Sequence, residues 1–335
     1  ANATGGYTLG KKVTTVNLED SAATKVLTFD ADLTAATLGV NNVTAGTGVT
    51  VASAGTGALK TLTVDAYGKE STIANISNAA IETLNITGKA NLTLTSVSNL
   101  GAVKTVDGSK AQGNLTLSKL ATMTSVKTGS GNDTVTVAAA ASGDTINLGA
   151  GNDKLVAGAA TSKVAAGSTI DGGAGIDSLD AGLVNAGNVG VFANFETLSL
   201  TTTNVDFDIT LLNKSTFTKI AIDGASTSTV RNVSTSQSLT VNANNTAKTT
   251  TLFFKNATGK ADAYTINFNA DSATGFNAGT VVIDKIETVT VNSVGKTGVT
   301  NTITLTDDAA KSLVITGDKA LAVTFNTAFG TTGTA

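Results

Sequence analysis

The sequence predicts an all-β protein: an elongated parallel β-solenoid (β-helix) into which a glycine-looped β-roll is inserted. Three observations carry the prediction. Short segments that alternate apolar and polar residues recur with a spacing of 19 to 22 residues, too short for a helical hairpin repeat and right for one coil of a solenoid. The residues that dominate are Ala, Gly, Thr, Val, Asn and Leu, with no Pro, Cys, His or Trp and only 4% aromatics. That alphabet fills thin β layers and tight turns rather than a bulky core. Between Thr128 and Asp180, three glycine loops recur, each ending in an Asp with an apolar residue two positions on.

Residues 1–58 form the least regular part, an N-terminal irregular β region. Lys12 to Leu18 and Lys25 to Phe29 read as strands, Asp30 to Leu38 as a short helix or a turn, and Gly46 to Gly57 as a glycine-threonine loop. Residues 59–127 read as regular coils. Leu62 to Leu84 is 22 residues, Leu84 to Val106 is 22 and Val106 to Val126 is 20. Residues 128–182 are the roll. Residues 183–335 continue the solenoid: Leu198 to Ile220 is 22 and Ile220 to Leu239 is 19. Further strands fall at Leu252 to Phe254, Tyr264 to Phe268, Val281 to Ile283, Val289 to Val291, Ile303 to Leu305, Leu313 to Ile315 and Val323 to Phe325. Alternation of apolar and polar residues marks each as a half-buried strand. Thr306-Asp307-Asp308 ahead of Ala309-Ala310-Lys311 has the pattern of an N-cap with an acidic first turn and predicts one short helix. An apolar-Glu-Thr-apolar motif recurs at Ile81-Glu82-Thr83-Leu84, Phe195-Glu196-Thr197-Leu198 and Ile286-Glu287-Thr288-Val289. It reads as the entry to a rung, with the Glu at a solvated corner.

The glycine loops carry the chemistry. They are Gly129-Ser130-Gly131-Asn132-Asp133 followed by Val135, Gly149-Ala150-Gly151-Asn152-Asp153 followed by Leu155, and Gly172-Gly173-Ala174-Gly175-Ile176-Asp177 followed by Leu179. The third matches the calcium nonapeptide G-G-x-G-x-D-x-U-x in full, while the first two have Thr128 and Leu148 at the first glycine position. Asp133 to Asp153 is 20 residues, Asp153 to Asp177 is 24, and Gly143-Asp144 lies one nonapeptide before Asp153. Two nonapeptides make one coil, so the three loops stack on one side, with Asp144 and then Ser168 on the other. Calcium takes 6–8 oxygens, which glycine turns supply as carbonyls and Asp as a carboxylate. One loop gives half a site. Three stacked loops therefore give two calcium sites, and Asp144 facing Ser168 gives a third candidate. The candidate metal residues are Thr128, Gly129, Gly131, Asp133, Gly143, Asp144, Leu148, Gly149, Gly151, Asp153, Gly172, Gly173, Gly175 and Asp177. The stretch is net acidic, so folding there is expected to depend on calcium. Gly259-Lys260-Ala261-Asp262 looks like a decayed half-loop and reads as a turn.

Enzyme classes find little support. Without His or Cys there is no Ser-His-Asp triad, cysteine nucleophile or zinc site of the usual kind. Arg231 is the single Arg, and Asp206 with Asp208, or Asp30 with Asp32, are the only spaced carboxylate pairs that invite a glycosidase reading. The net charge of −3 and the lack of a basic stripe exclude nucleic acid as an expected partner. No run approaches the roughly 18 apolar residues of a membrane span. The chain starts at Ala1 with no charged-then-apolar leader, which reads as an excised or processed piece.

The stretches GSGNDTV, GAGNDKL and GGAGIDSL resemble the RTX repeats of type I secreted Gram-negative bacterial proteins. With their Thr-, Ala- and Asn-rich, Cys-free and His-free surroundings and IETL-type rungs, they resemble bacterial surface-layer (S-layer) proteins of the Caulobacter and Campylobacter type. The resemblance implies type I secretion, folding outside the cell on meeting calcium, and calcium-dependent assembly with copies of itself into a two-dimensional lattice on the cell surface. Outer-membrane polysaccharide is the second expected partner. The family's C-terminal export signal is not evident after Val323. The competing expectation is an RTX adhesin stalk or ligand-binding module, but the repeats here are divergent single coils, which favours a lattice tile.

Overall fold

A computed structural model of the chain describes residues 5–44, 48–54, 59–97, 99–138, 143–159, 161–326 and 329–330. The protein is all-β, about 3% helical, and its parallel sheets stack as a β-solenoid of about 14 turns. It divides into two compact units. Unit 1 comprises Ala1–Asp177 with Val191–Asn194, and unit 2 comprises Ser178–Gly190 with Phe195–Ala335. Among the described residues, no helix is long and apolar enough to cross a membrane.

In unit 1 a nine-stranded parallel sheet runs from Thr15–Glu19 to Phe192–Ala193, taking one strand from each successive coil. Its register stacks like residues on like. Ala36, Leu62, Leu84, Val106, Val126, Ile146, Ile170 and Phe192 pair in one unbroken column, and every one of them is buried. The 22-, 22- and 20-residue spacings are therefore coil lengths. A second column, Leu117, Val135 and Leu155, lines the other wall of the roll. Unit 2 is built the same way. Leu179, Leu198, Ile220, Leu239, Ile266, Val291 and Ile315 are in register, and a six-stranded sheet from Asp206–Asp208 to Ala320–Phe325 faces that column's sheet from the alternate strands. Most inward residues of these columns are branched aliphatics, with Phe192 the aromatic exception. Their alternation with half-exposed Thr, Ser and Asn follows from the two-residue period of a strand.

The rung-entry motif has a backbone role. The carbonyl of Glu82 accepts from the N–H groups of Lys104 and Thr105, that of Glu196 from Thr218 and Lys219, and that of Glu287 from Lys311 and Ser312. Each Glu thus holds the first turn of the next coil. The solvated corner holds for Glu82, which is exposed and pairs with Lys60 at 2.7 Å. It fails for Glu287, which is 9% exposed and accepts from the Asp262 N–H at 2.9 Å.

Expectations about local structure are resolved or corrected in three places. Of the short helix or turn expected from Asp30 to Leu38, the turn forms, at 31–32, and the segment then enters the strand Ala35–Asn41. The glycine-threonine loop contains a strand, Gly48–Ser53, paired with Lys25–Phe29; residues 46–47 and 55–57 of that loop lie outside the described residues. No helix follows Thr306. The Asp307 carboxylate accepts from the Ala309 N–H at 3.0 Å, and this two-residue turn takes the place of the helical N-cap. Elsewhere the predicted strands stand, with Lys12 to Leu18 observed as Thr15–Glu19 and Lys25–Phe29 as written.

Candidate metal centre

The three glycine loops stack in unit 1 in the predicted order. Ala150 and Ala174 form a parallel bridge. The Ala150 N–H donates to the Gly129 carbonyl at 2.8 Å, the Ala174 N–H to the Gly149 carbonyl at 2.9 Å, and the Gly151 N–H to the Ala174 carbonyl at 2.8 Å. Glycine is needed where the loops nest. Gly151 and Gly175 have φ of 130° and 141°, and a Cβ at either would lie about 2 Å from the carbonyl oxygen of Gly131 or Gly151 in the loop before. A Cβ at Gly131 would lie 2.5 Å from the Gly113 carbonyl oxygen. Gly172 and Gly173 are held by the Ala193 carbonyl and the Asp171 carboxylate. On the opposite side, Gly143 turns the chain at φ 80°.

Asp133, Asp153 and Asp177 form a line, one per coil, each at most 1% exposed. Oδ1 of Asp133 accepts from the Leu115 N–H at 2.7 Å, Oδ1 of Asp153 from the Asp133 N–H at 2.7 Å, and Oδ1 of Asp177 from the Asp153 N–H at 2.8 Å. Oδ2 of Asp133 takes the Gly129 N–H at 3.2 Å. The Thr128 hydroxyl donates to the Leu148 carbonyl at 2.5 Å and also bears on the Asp133 carboxylate. Burial raises the Asp133 carboxyl above its usual range, against the pull of those hydrogen bonds. Asp153 is pushed up to about 7, first by burial and further by the charges of Asp133 and Asp177 on either side. Its Oδ2 is buried with no hydrogen-bond partner.

An asparagine ladder runs beside the carboxylates, and the sequence reading did not find it. Asn91 Oδ1 accepts from the Asn114 N–H, Asn114 from Asn132, Asn132 from Asn152, and Asn152 from Ile176, at 2.8 to 2.9 Å. The signal was the Gly-Asn dipeptide recurring at Gly113-Asn114, Gly131-Asn132 and Gly151-Asn152. Leu115 stands where the next Asp of the line would be, so the Gly113-Asn114-Leu115 turn ends the acidic line.

Asp144 belongs to a different arrangement. It is buried at the opposite corner, stacked on the Ser168 turn through the Thr169 N–H to Asp144 carbonyl bond. Its Oδ2 lies 2.6 Å from the Lys119 ammonium, and that side chain is fully buried. A protein cation therefore already neutralises this carboxylate, and the third candidate gap is left out of the calcium set.

The fit to calcium rests on the line itself. Stacked acidic side chains are buried where like charges repel, and the middle one presents an oxygen with no partner. Among the described residues no three acidic side chains close on a single point. An ion between these loops would therefore take most of its oxygens from backbone carbonyls and water, which calcium accepts. In the carboxylate pairs that invite a glycosidase reading, Asp206 pairs with Arg231 at 3.0 Å, Asp208 accepts from Thr210 and Asn232, and Asp30 accepts from the Asp32 N–H. The Gly259 segment is a turn closed on Asp262 at 2.9 Å. No protein-family model matches the chain, and no curated protein matches it.

Proposed function

We propose that this chain is a structural, non-enzymatic cell-surface protein that folds with calcium and assembles with copies of itself into a two-dimensional S-layer lattice. The observation that carries the reading is the in-line stack of buried carboxylates Asp133, Asp153 and Asp177. Without a cation the stack costs stability, and with one it ties three coils together. Two ions are expected, one between the loops of Asp133 and Asp153 and one between those of Asp153 and Asp177, with carbonyls from the Thr128–Gly131, Leu148–Gly151 and Gly172–Gly175 turns. Calcium bound there supplies charge neutralisation and a rigid link between coils. The resemblance to RTX surface-layer proteins supports an extracellular, type I secreted location and contact with outer-membrane polysaccharide. The thin coils and the structurally occupied carboxylate pairs are in keeping with a tile rather than a catalyst.

Electron microscopy of the purified protein tests this directly. Ordered sheets in calcium that dissolve in EDTA are expected. Monodisperse particles in both conditions would favour the adhesin-module reading instead.

A further inference from the structure

Among the described residues the ion pair of Lys119 and Asp144 is the most deeply buried, and the calcium reading makes no use of it. Lys119 ends the strand Leu115–Lys119 at an inward position, after the buried Leu115 and Leu117, and its register partner on the next coil is the buried Val137. A leucine or methionine would fill that place without a charge. Instead the lysine side chain, 0% exposed, reaches the corner ahead of the strand Thr145–Asn147 on the facing wall. There its Nζ lies 2.6 Å from Oδ2 of Asp144, which is itself 3% exposed, and 3.1 Å from the Leu120 carbonyl. The turn stacked on Asp144 carries Ser168, whose hydroxyl is buried with no hydrogen-bond partner. Taking both charges out of water is costly, and moving one proton from the ammonium to the carboxylate removes both at once. A desolvated amine, the nucleophilic form of lysine, then faces a carboxylic acid. The fold holds the two in contact, so their reaction is unimolecular. The chain has no Cys, so no disulfide can lock these coils.

We propose that Lys119 and Asp144 condense to an amide, an intramolecular isopeptide bond between successive coils. The Nζ lone pair attacks Cγ of the protonated Asp144 and forms the C–N bond. A second proton passes from the nitrogen to Oδ2, with the Ser168 hydroxyl as relay, and the Cγ–Oδ2 bond breaks to release water. One ammonium and one carboxylate thus become one amide and one water, with no change of oxidation state. From Lys119 to Asp144 is 25 residues, so the bond closes a loop around the coil that carries Asp133. The ion pair is the state from which the bond forms. The reaction needs the folded coil and not an ion in the glycine loops.

Intact-mass spectrometry of the purified full chain, unfolded in denaturant, reads the bond. A species lighter by one water is expected, and its share is expected to grow while the folded protein is held in buffer. Cyclisation at Asp107-Gly108, Asp171-Gly172 or Asp223-Gly224 also loses water, so a tryptic map locates the change. The expected map contains one branched peptide carrying both Lys119 and Asp144, with no cut after Lys119. Lys119→Arg and Asp144→Ala are expected to keep the full sequence mass at this position. If neither variant folds by circular dichroism, the map of the parent chain decides alone. Ser168→Ala is expected to slow growth of the lighter species on the order of a hundredfold; an unchanged rate overturns the relay. A parent chain at full sequence mass, or a water loss that maps only to the Asp-Gly steps, overturns the bond.

Discussion

Removing the carboxylate of Asp133, Asp153 or Asp177 strips away different partners, and the difference reports whether an ion is present. Asp133 holds two N–H groups, those of Leu115 and Gly129. Asp153 and Asp177 each hold one through Oδ1, from Asp133 and Asp153. Each N–H left without a partner in the interior costs about 1–3 kcal/mol. In EDTA, Asp133→Ala is therefore expected to lower stability more than Asp153→Ala. Asp153→Ala is expected to be the mildest, because it also relieves repulsion from both neighbours. In calcium the order is expected to invert, with Asp153→Ala the most damaging because the middle carboxylate serves both ions. Chemical denaturation of the three variants in the two conditions checks this. An order that does not change with calcium would contradict two ions sharing Asp153.

At the scale of the elements, what could be read in advance was what the two-residue period writes down. Leu62, Leu84, Val106 and Val126 are inward residues of successive coils, so their spacing is the coil length, and their register followed. What escaped were turns and exceptions to inward-apolar patterning. Gly48–Ser53 looked like a loop because Gly and Ala are poor strand formers, yet neighbouring strands impose its pairing. Thr306-Asp307-Asp308 looked like a helix cap with an acidic first turn because a side chain accepting an N–H two or three residues on begins both a cap and a non-helical turn, and here Asp307 accepts from Ala309 with no helix following. Lys119 escaped because a lysine in a strand reads as outward, whereas here it points inward to Asp144. That pair defines a test. Lys119→Met takes the ammonium away from a buried carboxylate and is expected to cost about 3–5 kcal/mol. Adding Asp144→Leu removes the stranded charge and is expected to recover most of the loss. A double variant no more stable than Lys119→Met, measured by urea denaturation, would mean that Asp144 is neutralised by something other than Lys119.

Across the whole molecule the buried carboxylates give a pH dependence with a definite sign, and in the roll they make proton and calcium exchangeable. Asp153 and Asp307 are raised to about 7 in the folded protein, against about 3.9 in an unfolded chain. Folding therefore takes up protons between about pH 4 and about pH 7, and the stability these groups contribute is full below that window and lost as pH rises through it. Asp133 and Asp284, also raised, act in the same direction. Asp107 and Asp208 are lowered, by hydrogen bonds from Ser109 in the first and from Thr210 and Asn232 in the second. Their contribution is present above about pH 4 and is lost only below it. In EDTA the melting temperature is thus expected to peak on the acid side and to fall as pH rises towards about 7. In the roll calcium supplies the positive charge that the protons supplied, so its stabilisation is expected to be largest at and above neutral pH and to flatten that fall. Binding near pH 7 is expected to release protons, visible as a calorimetric heat that changes with the ionisation enthalpy of the buffer. Parallel melting curves against pH with and without calcium would show that these carboxylates keep their protons and that no ion takes their place.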